Sequence, residues 1–176
     1  DLMTVVDAVV AKKYVAPDRL FVTGGSGGGI LTAWITTKTQ RFAAAASIKP
    51  VINWMTMALA ADIGQYVRRH WIRADPWSDT VAFLKFAPIR DVDKVKTPTL
   101  IMVGEEDYRT PAWEAEQYYT ALKMLKIDTA LIRVPGAPHH IASRPSRLVG
   151  KTDNIMGWFA KYDPDKQKPE EMTPKP

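Results

Sequence analysis

The stretch Arg19-Leu20-Phe21-Val22-Thr23-Gly24-Gly25-Ser26-Gly27-Gly28-Gly29-Ile30 sets the terms for the rest of the chain. Residues 20–22 are a short apolar run that reads as a buried strand, and a helical pattern starts at Ile30. Between them stands one serine with glycine on both sides. Residues 24–28 match G-x-S-x-G, the pattern of a strand-to-helix turn that lifts a serine hydroxyl above a parallel sheet. Such a serine sits in a strained backbone conformation, and side chains at the flanking positions would collide where strand and helix converge. The helix that follows points its amide-rich N-terminus at the serine, which favours negative charge developing there.

Other uses of a glycine-rich turn fit less well. A Walker A loop needs Lys-Ser or Lys-Thr after its glycines, and neither pair follows here. A dinucleotide fingerprint started at Gly25 would end on Ile30, and no acidic residue closes the next strand near Ser47. A flexible glycine turn remains the plain alternative, because G-x-S-x-G alone is a weak pattern and needs partners in the right order.

The 176 residues are 46% hydrophobic and 24% charged, which suits one globular domain of α/β type. The formal charge is +5, but the basic residues are scattered. Arg68, Arg69 and Arg73 gather beside His70 and Trp71, which reads as a solvated face and gives no nucleic-acid surface. With no cysteine, disulfides, zinc-thiolate sites and cysteine nucleophiles are excluded. That leaves the compartment open, and cytoplasmic is the working assignment. No apolar run approaches the ~20 residues of a membrane span, so no membrane partner is expected.

Asp1 is placed to cap a helix in which Leu2, Val5, Val6, Val9 and Val10 recur at helical spacing, and Pro17-Asp18 ends it. A helix over 30–39 lies beneath the serine turn, and 42–48 is a small-residue strand ended by Lys49-Pro50. The 51–76 region, rich in Trp, Met and Ala, has no sustained period and reads as short helices and loops near the top of the sheet. Trp54 and Trp77 there are candidates to line a substrate pocket, with core packing as the competing fate. A helix is expected over 78–86, a loop through Pro88 and Asp91, and a third strand over 99–103. A helix over 111–125, a fourth strand over 129–134 and a closing helix over 146–162 follow, the last with Leu148, Ile155, Trp158 and Phe159 as its apolar face. The expected organisation is a domain over 1–162 and a disordered tail over 163–176, rich in Pro, Lys, Glu and Asp.

Strands alternating with helices indicate a parallel sheet, whose ligands bind beyond the carboxyl ends of the strands. The serine turn, Gly104-Glu105-Glu106-Asp107 and Pro138-His139-His140 all follow strands, so they converge on one edge of the sheet. Acyl transfer by serine needs a base, an acid that orients the base, and oxyanion donors. His70 precedes the third strand in a basic, aromatic segment, whereas His139 and His140 lie at a strand end after the acidic turn. The resulting order Ser, acid, His is that of α/β-hydrolases. Adjacent histidines also raise a metal site, but neither H-E-x-x-H spacing nor a third ligand accompanies them, so no metal or cofactor is expected. Glu105, Glu106 and Asp107 compete as the acid; Asp107 comes last and has the short stem that fixes a histidine tightly.

These segments resemble the C-terminal part of prolyl oligopeptidase family peptidases, on the acylaminoacyl-peptidase and dipeptidyl-peptidase side. The resemblance runs from Asp1 to about Tyr162 and rests on VTGGSGGG, PTLIMVGEEDYRTP and VPGAPHHIASRPSRL in that order. It implies an α/β-hydrolase fold, with Ser26 as nucleophile, Asp107 as acid, His139 as base and the Gly27 amide as one oxyanion donor. Gly27 stands where many members carry a bulky residue, often tyrosine, and His140 where many carry glycine. The implied activity is hydrolysis of peptide or N-acyl-peptide bonds, with Trp54 shaping the acyl-side pocket. The alternatives are an esterase with the same triad and an inert fragment or interaction module lacking the second oxyanion donor. The family's other strands precede the serine turn, so this chain is expected to form the C-terminal half of a sheet, with the serine strand at its edge. Completion by preceding sequence, by another chain or by a homo-oligomer is then the expected partnership.

Overall fold

The computed structural model describes residues 1–166. Helix α1 (Leu2–Ala11) precedes strand β1 (Phe21–Gly25), which turns through Ser26 into α2 (Gly27–Thr36) and then β2 (Ala44–Ile48). After β2 come α3 (Trp54–Ala60), α4 (Gly64–Tyr66) running into a π-helix (Val67–Ile72), α5 (Thr80–Lys85) and a 3-10 helix (Pro88–Lys94). Strand β3 (Thr99–Gly104), α6 (Ala112–Met124), β4 (Thr129–Val134), a 3-10 turn (Ile141–Ser143) and α7 (Pro145–Lys161) complete the described residues. The four strands pair in the order β1-β2-β3-β4, all parallel, with register pairs Gly25↔Ile48, Ile48↔Met102 and Gly104↔Val134.

Alternation along β3 explains the layers. Ile101 and Val103 face Ala33 of α2 and Ala115, Tyr118 and Leu122 of α6. Leu100 and Met102 face the opposite way, with Ala46 and Ile48, toward Ile155, Trp158 and Phe159 of α7. Both faces of the sheet are covered, which is why β2 and β3 are buried at every residue and carry no polar alternation. A third cluster, built on Val51, Trp54, Met57, Val67 and Phe83, packs α3 and the π-helix together.

Several expectations need adjustment. Helix α2 begins at Gly27 and not at Ile30, so the helix starts directly from the serine. Asp1 occupies the N-cap position of α1 but makes no side-chain cap bond, and no α1 residue is buried. Leu2, Val5 and Val6 instead line an open apolar groove of about 500 Å³ with Phe21, Leu31 and Phe42, beside the edge of β1 that pairs with no strand among the described residues. In α7, Leu148 is 47% exposed and falls outside the apolar face. The expected tail begins differently too: Asp163 is buried and takes a two-point ion pair from Arg19, at 2.9 Å and 2.8 Å, with Asp165 2.6 Å from the same guanidinium. Residues 167–176 of that expected tail lie outside the described residues.

The close approach of β1 and α2 falls on particular glycines. A Cβ on Gly24 would be driven into the Gly28 backbone, and one on Gly29 into the Ile48 carbonyl. Gly27 and Gly28 face open space. The steric demand therefore belongs to Gly24 and Gly29, and the fourth glycine of the motif is free of it here. Gly29→Ala should lower the melting temperature by several degrees, as about 1–3 kcal/mol of overpacking does in a domain of this size, while Gly28→Ala should leave it unchanged or raised. Thermal melts by circular dichroism decide between the two.

Asp91, buried in the 3-10 helix, takes Lys38 at 2.5 Å and Lys94 at 2.7 Å. Hydrogen bonds from the two ammonium groups hold its carboxyl down at about 2. A depressed carboxyl contributes stability that is present above its ordinary value and disappears as pH falls through the folded value. Wild type should therefore exceed Asp91→Asn in denaturant midpoint at pH 5 and above, and the difference should shrink between pH 4 and pH 2.

Candidate active site

The site is assembled from the three turns that follow β1, β3 and β4. Ser26 has φ 58° and ψ −119°, a left-handed conformation that costs on the order of 1–3 kcal/mol for a residue with a Cβ. Two backbone bonds fix it: its amide donates to the Ile48 carbonyl at 2.9 Å, and its carbonyl accepts from Ile30 at 2.9 Å. The turn is thus tied both to the neighbouring strand and to its own helix. It presents Oγ above the sheet and leaves the Gly27 amide among the first N–H groups of α2, which have no intrahelical acceptor.

His139 Nε2 lies 3.0 Å from Ser26 Oγ. On the other side of the ring, Nδ1 is 2.8 Å from Asp107 Oδ2 and 3.0 Å from Oδ1. A carboxylate only accepts, so Nδ1 carries the ring proton and Nε2 offers its lone pair to the serine hydroxyl. Asp107 is 2% exposed and its hydrogen bonds are saturated. Oδ1 accepts the amides of Arg109 at 3.0 Å and Thr110 at 2.8 Å, and Oδ2 accepts the Thr110 hydroxyl at 3.0 Å. Asp107 is thus held by its own turn as well as by the histidine.

Among the three acids of the turn the structure separates roles. Glu105 and Glu106 are exposed, and Glu105 lies 3.3 Å from Arg133. Only Asp107 reaches a histidine. His140 is exposed and stands edge-on to His139 at 5.9 Å between ring centres, and His70, in the π-helix, lies tilted against Tyr66. Among the described residues no group of three His, Cys, Asp or Glu is placed to hold a metal ion.

Trp54 is 9% exposed and sits in the packed cluster with Met57 and Phe83; its ring N–H donates to the Phe86 carbonyl at 3.1 Å. Trp77, the other aromatic candidate, is 77% exposed. Thr110 was not singled out from the sequence. Its hydroxyl touches both Asp107 and, at 3.3 Å, His139 Nδ1. The signal was present in the Asp-x-x-Thr spacing, which lets an aspartate collect the amides and hydroxyl of its own turn. Lys49, at φ 54°, also borders the site: burial lowers the pKa of its ammonium, and the charge of Asp107 opposes that shift.

No helix among the described residues is long and apolar enough to cross a membrane. Residues 1–164 match the model of the prolyl oligopeptidase family. The chain is 34% identical over 165 residues to the uncharacterized peptidase YuxL of Bacillus subtilis, covering 92% of this chain and 25% of that protein. It is 32% identical over 170 residues to the acylamino-acid-releasing enzyme of Arabidopsis thaliana, covering 92% and 22%. Among solved structures, the acylaminoacyl peptidase of Pyrococcus horikoshii superposes with a TM-score of 0.84 at 24% identity, covering 94% of this chain and 27% of that one. The likeness in structure carries the α/β-hydrolase fold. The chain thus spans about a quarter of the length of the relatives it matches, and over that span it belongs to the prolyl oligopeptidase family, a family of serine-type peptidases.

Proposed function

We propose that this chain carries the Ser26, His139 and Asp107 triad of a serine peptidase that cleaves peptide or N-acyl-peptide bonds through an acyl-enzyme. The observation that carries the reading is the continuous hydrogen-bond chain from Ser26 Oγ through both ring nitrogens of His139 to buried Asp107. In this scheme His139 Nε2 takes the hydroxyl proton as Oγ attacks the carbonyl carbon. The imidazolium then returns that proton to the leaving amine as the C–N bond breaks. Water repeats the exchange, releasing the acid and restoring the serine. Asp107 holds the tautomer and supports the imidazolium. The Gly27 amide, at the start of α2, donates one hydrogen bond to the developing oxyanion.

The second oxyanion donor and the completion of the sheet would come from sequence or a chain that pairs with β1. The free edge of β1 and the apolar groove beside α1 support that part of the reading. Trp54 would shape the acyl-side pocket from behind, as a rigid support of the 51–60 segment. The names of the acylamino-acid-releasing relatives favour N-acyl peptides as the substrate class, with a cytoplasmic setting as part of the same proposal.

A fluorophosphonate probe should label Ser26 in the folded chain, with the adduct located by mass spectrometry and absent in Ser26→Ala. Asp107→Asn should slow labelling and turnover by about 10⁴, because the amide no longer selects the tautomer that leaves Nε2 free. Folded protein that takes no label overturns the reading, and turnover of p-nitrophenyl esters without acyl-peptide anilides replaces peptidase by esterase.

A further inference from the structure

Glu114 has no role in the scheme above, yet it is fully buried, in the first turn of α6. Among the described residues no Lys, Arg or His pairs with it. Its Oε2 accepts the backbone amides of Ile52 and Asn53, each at 2.9 Å, and its Oε1 accepts the Thr56 hydroxyl. Burial pushes its carboxyl up, and the bonds from Thr56, Ile52 and Asn53 pull it back. A carboxylate taken out of water without a counter-ion is a poor stabiliser. What it supplies, and an apolar side chain cannot, is an acceptor for two successive amides that leave the sheet with no strand partner.

The segment it holds is in a telling place. Because β2 lies between β1 and β3, the chain after β2 emerges between the Ser26 turn and the Asp107 turn. Gln117, one turn beyond Glu114, accepts from Asn53 Nδ2 at 3.0 Å, while Asn53 Oδ1 caps α3 through the Met55 amide at 3.1 Å. Farther along, Asp62 donates its amide to the Tyr108 carbonyl at 2.8 Å, and its carboxylate takes Arg109 at 2.7 Å. Residues 107–114 therefore carry the triad acid at one end and the segment's anchor at the other, with Thr110 and Pro111 between.

We infer that Glu114 is a positioning residue, whose carboxylate registers the 52–56 segment against the acid turn and so sets the acyl-side wall of the proposed site beside Ser26. The inference rests on the hydrolase reading above. Glu114→Gln keeps the volume but turns one acceptor into a donor facing donors. In folded Glu114→Gln, exchange protection of the Ile52 and Asn53 amides should fall at least ~10-fold while the β3 amides keep theirs. KM for an acyl-peptide anilide should rise by ~10-fold, with kcat and the rate of labelling by a small fluorophosphonate within ~3-fold of wild type. Thr56→Val, which deletes one donor and leaves the carboxylate, should move KM in the same direction by less. Unchanged protection at Ile52 and Asn53, or KM unchanged in folded Glu114→Gln, overturns the inference and leaves the triad reading standing. A parallel fall in labelling and kcat also overturns it, because Glu114 would then act on the whole site. Wild type that takes no label removes the hydrolase reading and this inference together.

Discussion

Backbone meets backbone where β1, β2 and α2 converge, and the rest of the site depends on that contact. With no Cβ on Gly24 or Gly29, helix α2 can lie against its own strand and against the Ile48 carbonyl. The same carbonyl accepts the Ser26 amide. The left-handed serine is thus held by two elements that are themselves locked by burial on both faces of the sheet. Strain of this kind survives only where the surroundings over-determine it. Here the surroundings are β2, buried at every residue, and α2, whose Gly29, Thr32, Ala33 and Thr36 face the interior.

The other two turns are fixed by different means. Asp107 is organised locally, by Arg109 and Thr110 of its own turn. His139 is organised by what surrounds it: Ala137 and Ile141, on either side, are both buried against the α7 face of the sheet. Gly104 belongs to the same arrangement, since a Cβ there would meet the Ala137 carbonyl. Backbone proximity between the acid turn and the histidine turn thus brings Nδ1 to Oδ2. Positions chosen by main-chain contact tolerate much sequence change at the surface.

Much of this was legible in the residues. The run at 99–103 lies on β3 because a parallel strand buried on both faces is a continuous apolar segment, and the run at 129–134 lies on β4, a partly buried strand at the other edge of the sheet. The convergence of three turns on one edge followed from that alternation of strands and helices. The start of α2 was hidden, because Gly27, Gly28 and Gly29 are poor helix formers and give no apolar period. Which glycine bears the steric demand was hidden as well, since spacing shows the motif but not which Cβ direction meets Ile48. The 51–76 region gave no period because it changes from α to π geometry within a few residues. Nothing in the local sequence marked Glu114, because its burial depends on amides from a segment 62 residues away. Arg19 and Asp163 are still farther apart in sequence, and their pairing, which lowers the Asp163 pKa, gave no local sign.

The strand order has a consequence for how the molecule comes into being. Each strand pairs with the one made just before it, so the sheet can grow in the direction of synthesis. Ser26 and the acid turn are in place early, on β1 and β3, while His139 follows the last strand. Until β4 has paired along β3 from Thr129 to Val134, Ser26 has no imidazole beside it. On the proposed triad reading, the serine of a growing chain therefore stays unarmed while its own unfolded segments are within reach. Topology alone places that step after the last of the four described strands has paired.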